Sequence, residues 1–599
     1  MEKTGYILGI SRGHNAGVCL LKDGKIVFAI EEERLSRAKY DGGPYAAMIK
    51  VKEYTKKVDF IVVSHTQSLV ETCGKVDFYG DFVYTGLARK LGLIDGKLGT
   101  PEGHPQVIDL SSQHHKIHAA AAFYRSGFED AVAVIVDGAG SAMPAVYKNE
   151  PIVLWEVESI FDCEYTKPFK TLYKHYASRM AIPVYHSLEE SSEKLGEEGT
   201  HEVVFSGHAG ITKVYEAVTE YCGFEGIEAG KTMGLFPYGK PNDNIPKLFS
   251  SGTIVPLSNA NVVVPQMPNG AEVSHMAYPE LCSAFHIDNP TLLQNRRDLA
   301  YACQTQTQEQ VLNLILKAVE TTGKDKVVLS GGYALNCVAN YFYLTELSKR
   351  GIELYVEPVS NDGGTAIGAA LVFYHMTEPD AVNAKHPREI YLGPQYNYSE
   401  EDIERIAAEY DAEISDATKE DVINLMTEKN IVAMFQGRSE NGPRALGNRS
   451  LMFDPTFPDG KDFVNEIKHR EYFRPFAGSI LEEDVHEWFD LRGMPNSPHM
   501  MYAVNCQPGI EEKIPSIIHV DGTCRIQTVT REENPHYYDV IKAFKDKTGV
   551  PIIFNTSFNL GGEPLVETLE DALWTLSKSG IDYLYLPEYN KLLTVKIKK

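Results

Sequence analysis

Short apolar runs that each end in a glycine-containing turn recur along the first two thirds of the chain, and this pattern limits the fold more than any other feature. The run from Ala131 to Val136 precedes Asp137-Gly-Ala-Gly, and the run from Lys326 to Ser330 precedes Gly331-Gly332. Helical patterns lie between the runs, the longest beginning near Leu299. Alternating strands and helices predict an α/β fold, in which loops at strand ends approach phosphates closely.

The chain length predicts more than one domain. It has 599 residues, which exceeds what a single core normally supports. A stretch over 376–396 is rich in proline and charged residues and is typical of a linker. We therefore expect one domain over residues 1–385 and a second over residues 386–599.

Composition excludes several classes of protein. The net charge of −24 argues against non-specific binding to nucleic acid or anionic lipid. The N-terminus lacks the layout of a signal peptide, and the longest apolar runs are too short to span a bilayer. The nine cysteines are scattered without a Cys-x-x-Cys pair, so we expect neither disulfides nor a thiolate zinc site. These features predict a cytoplasmic protein with no membrane association.

Two histidines in an alanine-rich helical stretch are candidate metal ligands. His114 and His118 are four residues apart, so on a helix they share a face and could hold one ion. The alternative is a pair of buried helix histidines. Asp362 could supply a third, oxygen ligand, or it could cap the helix that begins near Thr365.

Three strand-plus-glycine turns, at 13–17, 137–140 and 330–332, favour nucleotide binding in the first domain. Glycine lets backbone amides approach a phosphate, and a nearby amide side chain can bond a nucleotide hydroxyl. The alternative is that each of these segments is an ordinary glycine turn that binds no ligand. The candidates are Gly138, Gly331, Gly332 and Asn336.

The second domain concentrates cationic side chains beside glycines rather than beside acidic partners, which suggests anionic ligands. The candidates are Arg438, Arg444, Arg449, Lys468, Arg470, Arg474 and Arg525. A run over 552–559 adds amide and hydroxyl groups. For any one arginine, a surface ion pair is the alternative.

Several ordered strings resemble the NodU/CmcH-type O-carbamoyltransferases. They are Ile7–Ile10, the Glu-Glu-Glu-Arg-Leu-Ser-Arg-Ala-Lys string at 31–39, His114–Ala119, Lys231–Gly239, Gly442–Ser450, Phe473–Ala477 and Asn555–Asn559. The resemblance covers both domains. It implies an actin/sugar-kinase-like domain, similar to the tRNA threonylcarbamoyl-transferring enzymes, followed by a YrdC-like domain, and a homodimer.

The resemblance also implies two linked reactions. The YrdC-like domain would convert carbamoyl phosphate and MgATP into carbamoyl-adenylate, phosphate and pyrophosphate. The intermediate would then pass inside the protein to the first domain, where an acceptor hydroxyl attacks its carbonyl carbon. The acceptor could be an antibiotic or toxin, a sugar of a signalling lipid, or a hydroxymethylated DNA base, although the net charge does not favour DNA.

By the same resemblance, each motif residue takes a role. In the second domain, Lys468, Arg444 and Arg525 would neutralise the phosphates, and Asn555 and Ser557 would orient them, with Arg449 in the binding set. In the first domain, the residues implied to hold Fe²⁺ or another divalent metal are His114, His118 and Asp362. The residues implied to hold the adenosine are Gly138, Gly331, Gly332 and Asn336. Those implied to lie near the acceptor are His14, Lys39 and Glu228, of which His14 or Glu228 would take the hydroxyl proton.

Two positions depart from the family pattern. Asn15 stands where the family usually has Asp, which removes one possible base or metal-side carboxylate. Gly478 replaces the usual Pro after Phe473–Ala477, a milder change. The first departure bears on acceptor chemistry more than on adenylate formation. We expect the loops that line the acceptor to lie at 140–295 and around Tyr40–Tyr45.

Other functions share part of this pattern. A tRNA threonylcarbamoyl-type enzyme has both domain types, but normally on separate chains. Hydrogenase-maturation carbamoyltransferases carry zinc-ribbon cysteine pairs that this sequence lacks. A sugar kinase would leave the arginine-rich second domain without a role. A non-catalytic nucleotide-binding protein would not need Lys468, His114, His118 and Asp362.

Overall fold

The computed structural model divides the chain into two compact units. The first comprises Met1–Phe28 and Gly42–Arg388, and the second comprises Ala29–Asp41 and Glu389–Lys599. Apart from a few single positions, the structure describes residues 5–66, 83–96, 104–178, 185–190, 200–207, 210–243, 290–378 and 388–595. The second unit thus includes a short N-terminal segment, which a single domain boundary near residue 385 would assign to the first unit.

The first unit contains a five-stranded and an eight-stranded sheet. The smaller sheet has the strand order β3-β2-β1-β4-β5. Its strands are β1 (Tyr6–Ser11), β2 (Gly17–Lys22), β3 (Lys25–Glu31), β4 (Phe60–Ser64) and β5 (Val107–Asp109). The hairpin of β1 and β2 is antiparallel, whereas β1, β4 and β5 run parallel.

The larger sheet places three parallel strands side by side, because β12 pairs in parallel with both β6 and β13. Its order is β10-β11-β9-β8-β6-β12-β13, and β7 pairs with β8 outside this path. The strands are β6 (Asp130–Val136), β7 (Ala142–Tyr147), β8 (Glu150–Glu164), β9 (Lys170–Ser178), β10 (Tyr185–Glu190), β11 (Thr200–Ser206), β12 (Lys326–Ser330) and β13 (Glu353–Val356).

Helices with small residues pack closely on these sheets. The described helices of the first unit are α2 (Tyr45–Lys50), α3 (Val83–Lys90), α4 (His114–Ser126), α5 (Ile211–Tyr221), α6 (Ala229–Leu235), α7 (Pro290–Thr322), α8 (Cys337–Ser348) and α9 (Gly364–Thr377). A Cβ atom at Gly9 would collide with the carbonyl oxygen of Ala366, and one at Gly368 with that of Ile117. Both glycines therefore permit the close approach of α9 to β1 and α4.

The second unit is built on one ten-stranded mixed sheet with the order β14-β23-β22-β15-β16-β21-β17-β20-β19-β18. Its strands are β14 (Glu413–Asp416), β15 (Val432–Phe435), β16 (Arg449–Phe453), β17 (Ala477–Leu481), β18 (Phe489–Asp490), β19 (Ala503–Cys506), β20 (Thr523–Val529), β21 (Ile552–Ser557), β22 (Tyr583–Leu586) and β23 (Lys591–Thr594). Its helices are α1 (Glu32–Ser36), α10 (Glu400–Glu409), α11 (Lys419–Thr427), α12 (Gly460–Ile467), α13 (Val485–Trp488), α14 (Pro535–Thr548) and α15 (Leu569–Ser577).

The segment Ala29–Asp41 is tied to the rest of the second unit by arginines. Arg34 Nη2 donates to the carbonyl oxygen of Gly442 at 2.7 Å. Arg37 Nη1 donates to the carbonyl oxygen of Leu565 at 2.6 Å. These bonds give the charged string at 31–39 a structural role in the second unit.

Two expectations from composition can be compared with the described residues. None of the helices in the described ranges has the length and apolar character needed to cross a bilayer. Seven cysteines are described, and all are free thiols. The other two, Cys73 and Cys282, lie outside the described residues.

Candidate functional site

Four side chains of types that can ligate a metal meet at one edge of the larger sheet in the first unit. His114 and His118 come from successive turns of α4, as the spacing predicts. Asp137 directly follows β6, and Asp362 follows β13 before α9 begins. Since β6, β12 and β13 are parallel neighbours, their carboxyl ends lie at the same edge, which brings the two carboxylates to the histidine pair.

The ligand atoms of these four residues all lie within 4.8 Å of one another. The Nε2 atoms of His114 and His118 are 3.2 Å apart. Asp362 Oδ1 lies 3.5 Å from each of these nitrogens. Asp137 Oδ2 lies 3.6 Å from His114 Nε2. This arrangement brings together the three predicted ligands and adds Asp137, which the sequence had suggested only as part of a nucleotide-binding turn.

The buried charges in this cluster depend on one another. Burial lowers the pKa of His114, but Asp137 and Asp362 outweigh that effect and raise it to about 10. Burial raises the pKa of Asp362, whereas the two histidines lower it well below its usual range. The carboxylates are therefore ionised at neutral pH and attract a positive charge at the centre of the cluster.

His14 lies at the open side of the cluster. Its Nδ1 atom is 4.0 Å from Asp362 Oδ2, and 53% of its side chain is exposed, against 1% for His114. The side chain of Asp362 is 12% exposed. A ligand can therefore approach the carboxylates from the side of His14.

The predicted nucleotide-binding loops lie next to the cluster, but several of their groups are already bonded. The backbone N–H of Gly332 donates to Asp137 Oδ1 at 2.9 Å. Gly331 has a φ of +91° and lies against the carbonyl oxygen of Val136, so no side chain fits there. Asn336 Oδ1 caps α8 by accepting from the Ala339 amide at 3.1 Å. The structure thus gives these residues roles in shaping the loops, and adenosine binding by them stays a prediction.

The space beside Gly138 holds an ion pair that sequence analysis missed. Lys213 Nζ donates to Glu216 Oε2 at 2.7 Å. A Cβ atom at Gly138 would lie 2.8 Å from Glu216 Oε1 and 3.5 Å from Lys213 Nζ. The only sequence signal was their spacing of three on a helical pattern, which is common among ion pairs on helix surfaces and does not indicate a site.

Two residues predicted near the acceptor have other contacts. Glu228 pairs with Lys231 at 2.7 Å and caps its own turn by accepting from the Glu225 amide at 3.2 Å. Lys39 lies in the segment that groups with the second unit, where its Nζ atom is 5.2 Å from the ring centre of Tyr40. Neither contact brings these two residues to the His114 cluster.

In the second unit, Lys468 is buried at the end of α12. Its Nζ atom donates to the carbonyl oxygen of Ser557 and to Asn559 Oδ1, the latter at 3.3 Å. Burial, reinforced by Arg470 and Arg474, lowers its pKa well below the usual range. An anion bound beside Lys468 would favour its charged form.

Further cations surround this lysine. Burial lowers the pKa of Arg470, and the nearby charges of Arg474, Arg525 and Arg444 lower it further. The Nε atom of Arg525 is buried and has no hydrogen-bond partner among the described residues. Four of the predicted arginines thus converge on one region, namely Arg444, Arg470, Arg474 and Arg525. Arg438 instead donates to the carbonyl oxygens of Gly393 and Leu392, both at 2.7 Å.

The loop that carries Arg444 is fixed by a buried glutamate. Glu440 Oε1 accepts hydrogen bonds from the amides of Leu446 and Asn448, at 2.7 and 2.9 Å. These bonds hold both sides of the turn at which Arg444 lies. Glu440, which precedes the predicted Gly442–Ser450 string, therefore fixes the conformation of that string.

Three other predicted residues differ in how many of their hydrogen-bonding groups are already paired. They are Arg449, Asn555 and Ser557. Arg449 is buried and donates to backbone carbonyls, including those of Glu567 and Asn448 at 3.1 and 3.0 Å. Asn555 Nδ2 bonds Ser479 Oγ at 2.9 Å, but its buried Oδ1 has no hydrogen-bond partner among the described residues. Ser557 Oγ donates to Asn559 Oδ1 at 2.6 Å. Arg449 is thus placed to support the loop rather than to touch a ligand.

Comparisons with known proteins agree over both units. The family model described as Carbamoyltransferase N-terminus matches residues 6–371, and the one described as Carbamoyltransferase C-terminus matches residues 423–591. An uncharacterised protein of Synechocystis sp. is 31% identical over 98% of this chain and 96% of its own. The nodulation protein NolNO of Sinorhizobium fredii is 30% identical over 96% of this chain and 78% of its own.

A solved structure of full-length HypF in a phosphate- and nucleotide-bound form covers 63% of this chain and 57% of its own, with 15% identity and a TM-score of 0.35. A likeness at that score supports no inference about this site. The family matches, by contrast, span most of the residues described above.

Proposed function

The chain belongs to the carbamoyltransferase family, and from that premise we propose that it is an ATP-dependent O-carbamoyltransferase with one reaction in each unit. In the second unit, water releases phosphate from carbamoyl phosphate, and an oxygen of the resulting carbamate attacks the α-phosphorus of ATP. Pyrophosphate leaves and carbamoyl-adenylate forms. In the first unit, an acceptor hydroxyl attacks the carbonyl carbon, AMP leaves, and the hydroxyl proton passes to a base.

The observation that carries this proposal is the group of cations around the buried Lys468. A buried charge is costly unless an opposite charge accompanies it, and the half-buried Arg470 adds a second cation to the same region. The triphosphate of MgATP and the phosphate of carbamoyl phosphate supply that opposite charge. We assign neutralisation of these groups to Lys468, Arg444, Arg470 and Arg525, and orientation to Asn555 and Ser557.

The cluster in the first unit fits a divalent metal. Two imidazoles and two carboxylates form a mixed nitrogen and oxygen donor set, which suits Fe²⁺ among other divalent ions. His114, His118, Asp137 and Asp362 would hold it. When bound there, the metal supplies Lewis-acid polarisation of a carbonyl or phosphate oxygen.

The chain's own residues would do the rest of the transfer. His14, exposed at the open side of the cluster, is our choice for the group that takes the hydroxyl proton. Glu228 suits that role less, since it pairs with Lys231. The loops with Gly138, Gly331, Gly332 and Asn336 are proposed to border the adenosine. A homodimer and a cytoplasmic location are parts of the same proposal.

The first test needs no acceptor. The full chain is incubated with MgATP, with and without carbamoyl phosphate, and pyrophosphate and AMP are measured. We expect pyrophosphate release that requires carbamoyl phosphate and falls about 100-fold or more in Lys468→Ala. Lys461→Ala, at the start of the same helix, is the matched control and should behave as the unchanged protein.

ADP in place of pyrophosphate would identify a kinase and contradict the proposal. Pyrophosphate release at equal rates in Lys468→Ala and Lys461→Ala would contradict the assignment of the second-unit site.

A further inference from the structure

A buried glutamate of β8 joins the two segments that carry three of the four cluster residues. Glu156 Oε2 accepts hydrogen bonds from the backbone amides of His115 and Ser141, at 3.3 and 3.2 Å. His115 follows His114 in the first turn of α4. Ser141 ends the loop that follows β6 and begins with Asp137. One carboxylate oxygen is therefore bonded to both segments at once.

The same two segments meet closely at further points. The hydroxyl oxygen of Ser141 accepts from the backbone amide of His114 at 3.1 Å. The backbone N–H of Gly140 donates to the carbonyl oxygen of Glu156 at 2.6 Å. A Cβ atom at Gly140 would lie 2.6 Å from His115 Nε2 and 2.8 Å from Glu156 Oε2, so a side chain there would force one of them to move. The approach of this loop to α4 thus depends on Gly140 and Glu156 together.

The other carboxylate oxygen fixes the direction in which Glu156 points. The side chain is fully buried, and its Oε1 atom forms an ion pair with Lys174 of β9. Oε1 also accepts from Ser159 Oγ at 3.4 Å, and that hydroxyl lies 2.8 Å from His115 Nδ1. Because every turn of the carboxylate would leave a buried donor unpaired, the side chain is held against the two amides.

We propose that Glu156 is the positioning residue of the metal cluster, and that it sets the spacing between the histidines of α4 and Asp137. This inference rests on the proposed function, because it concerns the metal assigned to that cluster. Glu156 acts through backbone amides and does not itself touch the metal. Groups that orient metal ligands in this indirect way commonly contribute about 10- to 100-fold in metal affinity.

Glu158 is a matched control on the same strand. Its side chain is as fully buried as that of Glu156, and its Oε2 atom lies 2.5 Å from His175 Nδ1. Its Oε1 atom, however, accepts from the backbone amide of Ile211 at 2.7 Å. Ile211 begins α5, which carries none of the four cluster residues. The two glutamates therefore separate a general loss of stability from a loss of ligand positioning.

The test measures Co²⁺ binding by the full chain after its metal has been removed with a chelator. Co²⁺ takes the same nitrogen and oxygen donors as Fe²⁺, and its visible absorption reports how the ligands are arranged. Binding that is lost in His118→Ala is assigned to the cluster. We expect Glu156→Gln to weaken this binding by about tenfold or more and to change the absorption band. Glu158→Gln should retain both, and circular dichroism establishes the folded fraction of each variant.

Two double variants isolate the hydrogen bonds from the ion pair. In Glu156→Gln with Lys174→Met, the amide oxygen still accepts from the two backbone amides and no ammonium is left unpaired. This variant should bind Co²⁺ within about threefold of the unchanged protein. Glu156→Ala with Lys174→Met lacks the acceptor and should keep the loss of about tenfold or more.

Three results would overturn the inference. They are unchanged Co²⁺ affinity in Glu156→Gln, an equal loss in Glu158→Gln, and equal affinities of the two double variants. Absence of any Co²⁺ binding that depends on His118 would contradict the metal site of the proposed function, and this inference with it. That failure shows in the unchanged protein, whereas a failure of the inference alone shows only in the glutamate variants.

Discussion

The two polar sites of this protein differ in how their buried charges are balanced. In the first unit, the imidazoles of His114 and His118 face the carboxylates of Asp137 and Asp362 within one small cluster. In the second unit, Lys468 and Arg470 are surrounded mainly by other cations, which Glu563 and Glu471 offset only in part.

This difference indicates what each site lacks. The first cluster can balance its carboxylates either with a protonated histidine or with a bound cation, so it tolerates both states. The second region becomes balanced only when an anion arrives. Under the proposed function, the first site would retain a resident ion, and the second would take up and release phosphate compounds in each reaction cycle.

The largest effect is expected when the first site loses a ligand. His118→Ala and Asp137→Asn should each lower the affinity for Fe²⁺ by more than about 100-fold, because a direct ligand contributes at least as much as the groups that orient it. Metal content after dialysis against a weak chelator checks this. His486→Ala, in the second unit, is the control. Full metal content in Asp137→Asn would show that this carboxylate is not a ligand.

Arg449→Lys tests whether every buried cation of the second unit awaits an anion. Its guanidinium donates to several carbonyl oxygens, which a lysine cannot all reach. We expect the free energy of unfolding of this unit to fall by about 3 kcal/mol, at about 1 kcal/mol for each hydrogen bond lost. Denaturant unfolding checks this, with the exposed Arg405→Lys as control. An unchanged stability with weaker sulfate binding would make Arg449 a ligand contact instead.

The lowered pKa of Lys468 predicts that anion binding depends on pH. An anion stabilises the protonated amine, so binding takes up a proton at a pH between the lowered pKa of the free protein and the higher pKa of Lys468 in the complex. In that range the affinity rises as pH falls. The slope should approach about tenfold per pH unit. Calorimetric titration with sulfate, which does not itself titrate, in two buffers of different ionisation enthalpy measures the uptake. Uptake that persists in Lys468→Met would assign the proton to another group.

The smallest effect concerns a predicted adenosine contact in the first unit. Asn336→Ala removes the N-cap of α8 and should cost about 1 kcal/mol of local stability. Hydrogen exchange of the amides in α8 checks this, with the exposed Ser348→Ala at the other end of the helix as control. Unchanged exchange combined with weaker binding of AMP would favour a ligand role over a capping role.

Periodicity and turns predicted the α/β architecture, because strand and helix patterns are local. The placement of His114 and His118 on one helix face followed from their spacing alone. Asp137 and Asp362 are 225 residues apart, and only the pairing of β12 with both β6 and β13 brings them together. No local pattern records that pairing, so Asp137 was not predicted as a ligand.

The same reason explains the other differences. Lys213 and Glu216 form a common kind of helix ion pair. Their position next to the loop after β6 depends on the fold and on the absence of a side chain at Gly138. Arg449 stands among glycines, as a phosphate ligand would, but the fold surrounds it with carbonyl oxygens. Composition shows which charges are present, whereas packing decides which of them are already paired.

The segment Ala29–Asp41 has a consequence for how such a gene can be divided. The chain enters the second unit near its beginning, returns to the first at Gly42, and enters the second again near residue 388. A fragment that begins after Arg388 lacks Arg34 and Arg37, whose bonds to Gly442 and Leu565 would be missing. Recombination of the gene near the codon for residue 388 would therefore exchange a second unit that lacks its segment Ala29–Asp41. Both parts of the second unit are kept only when the whole gene is inherited.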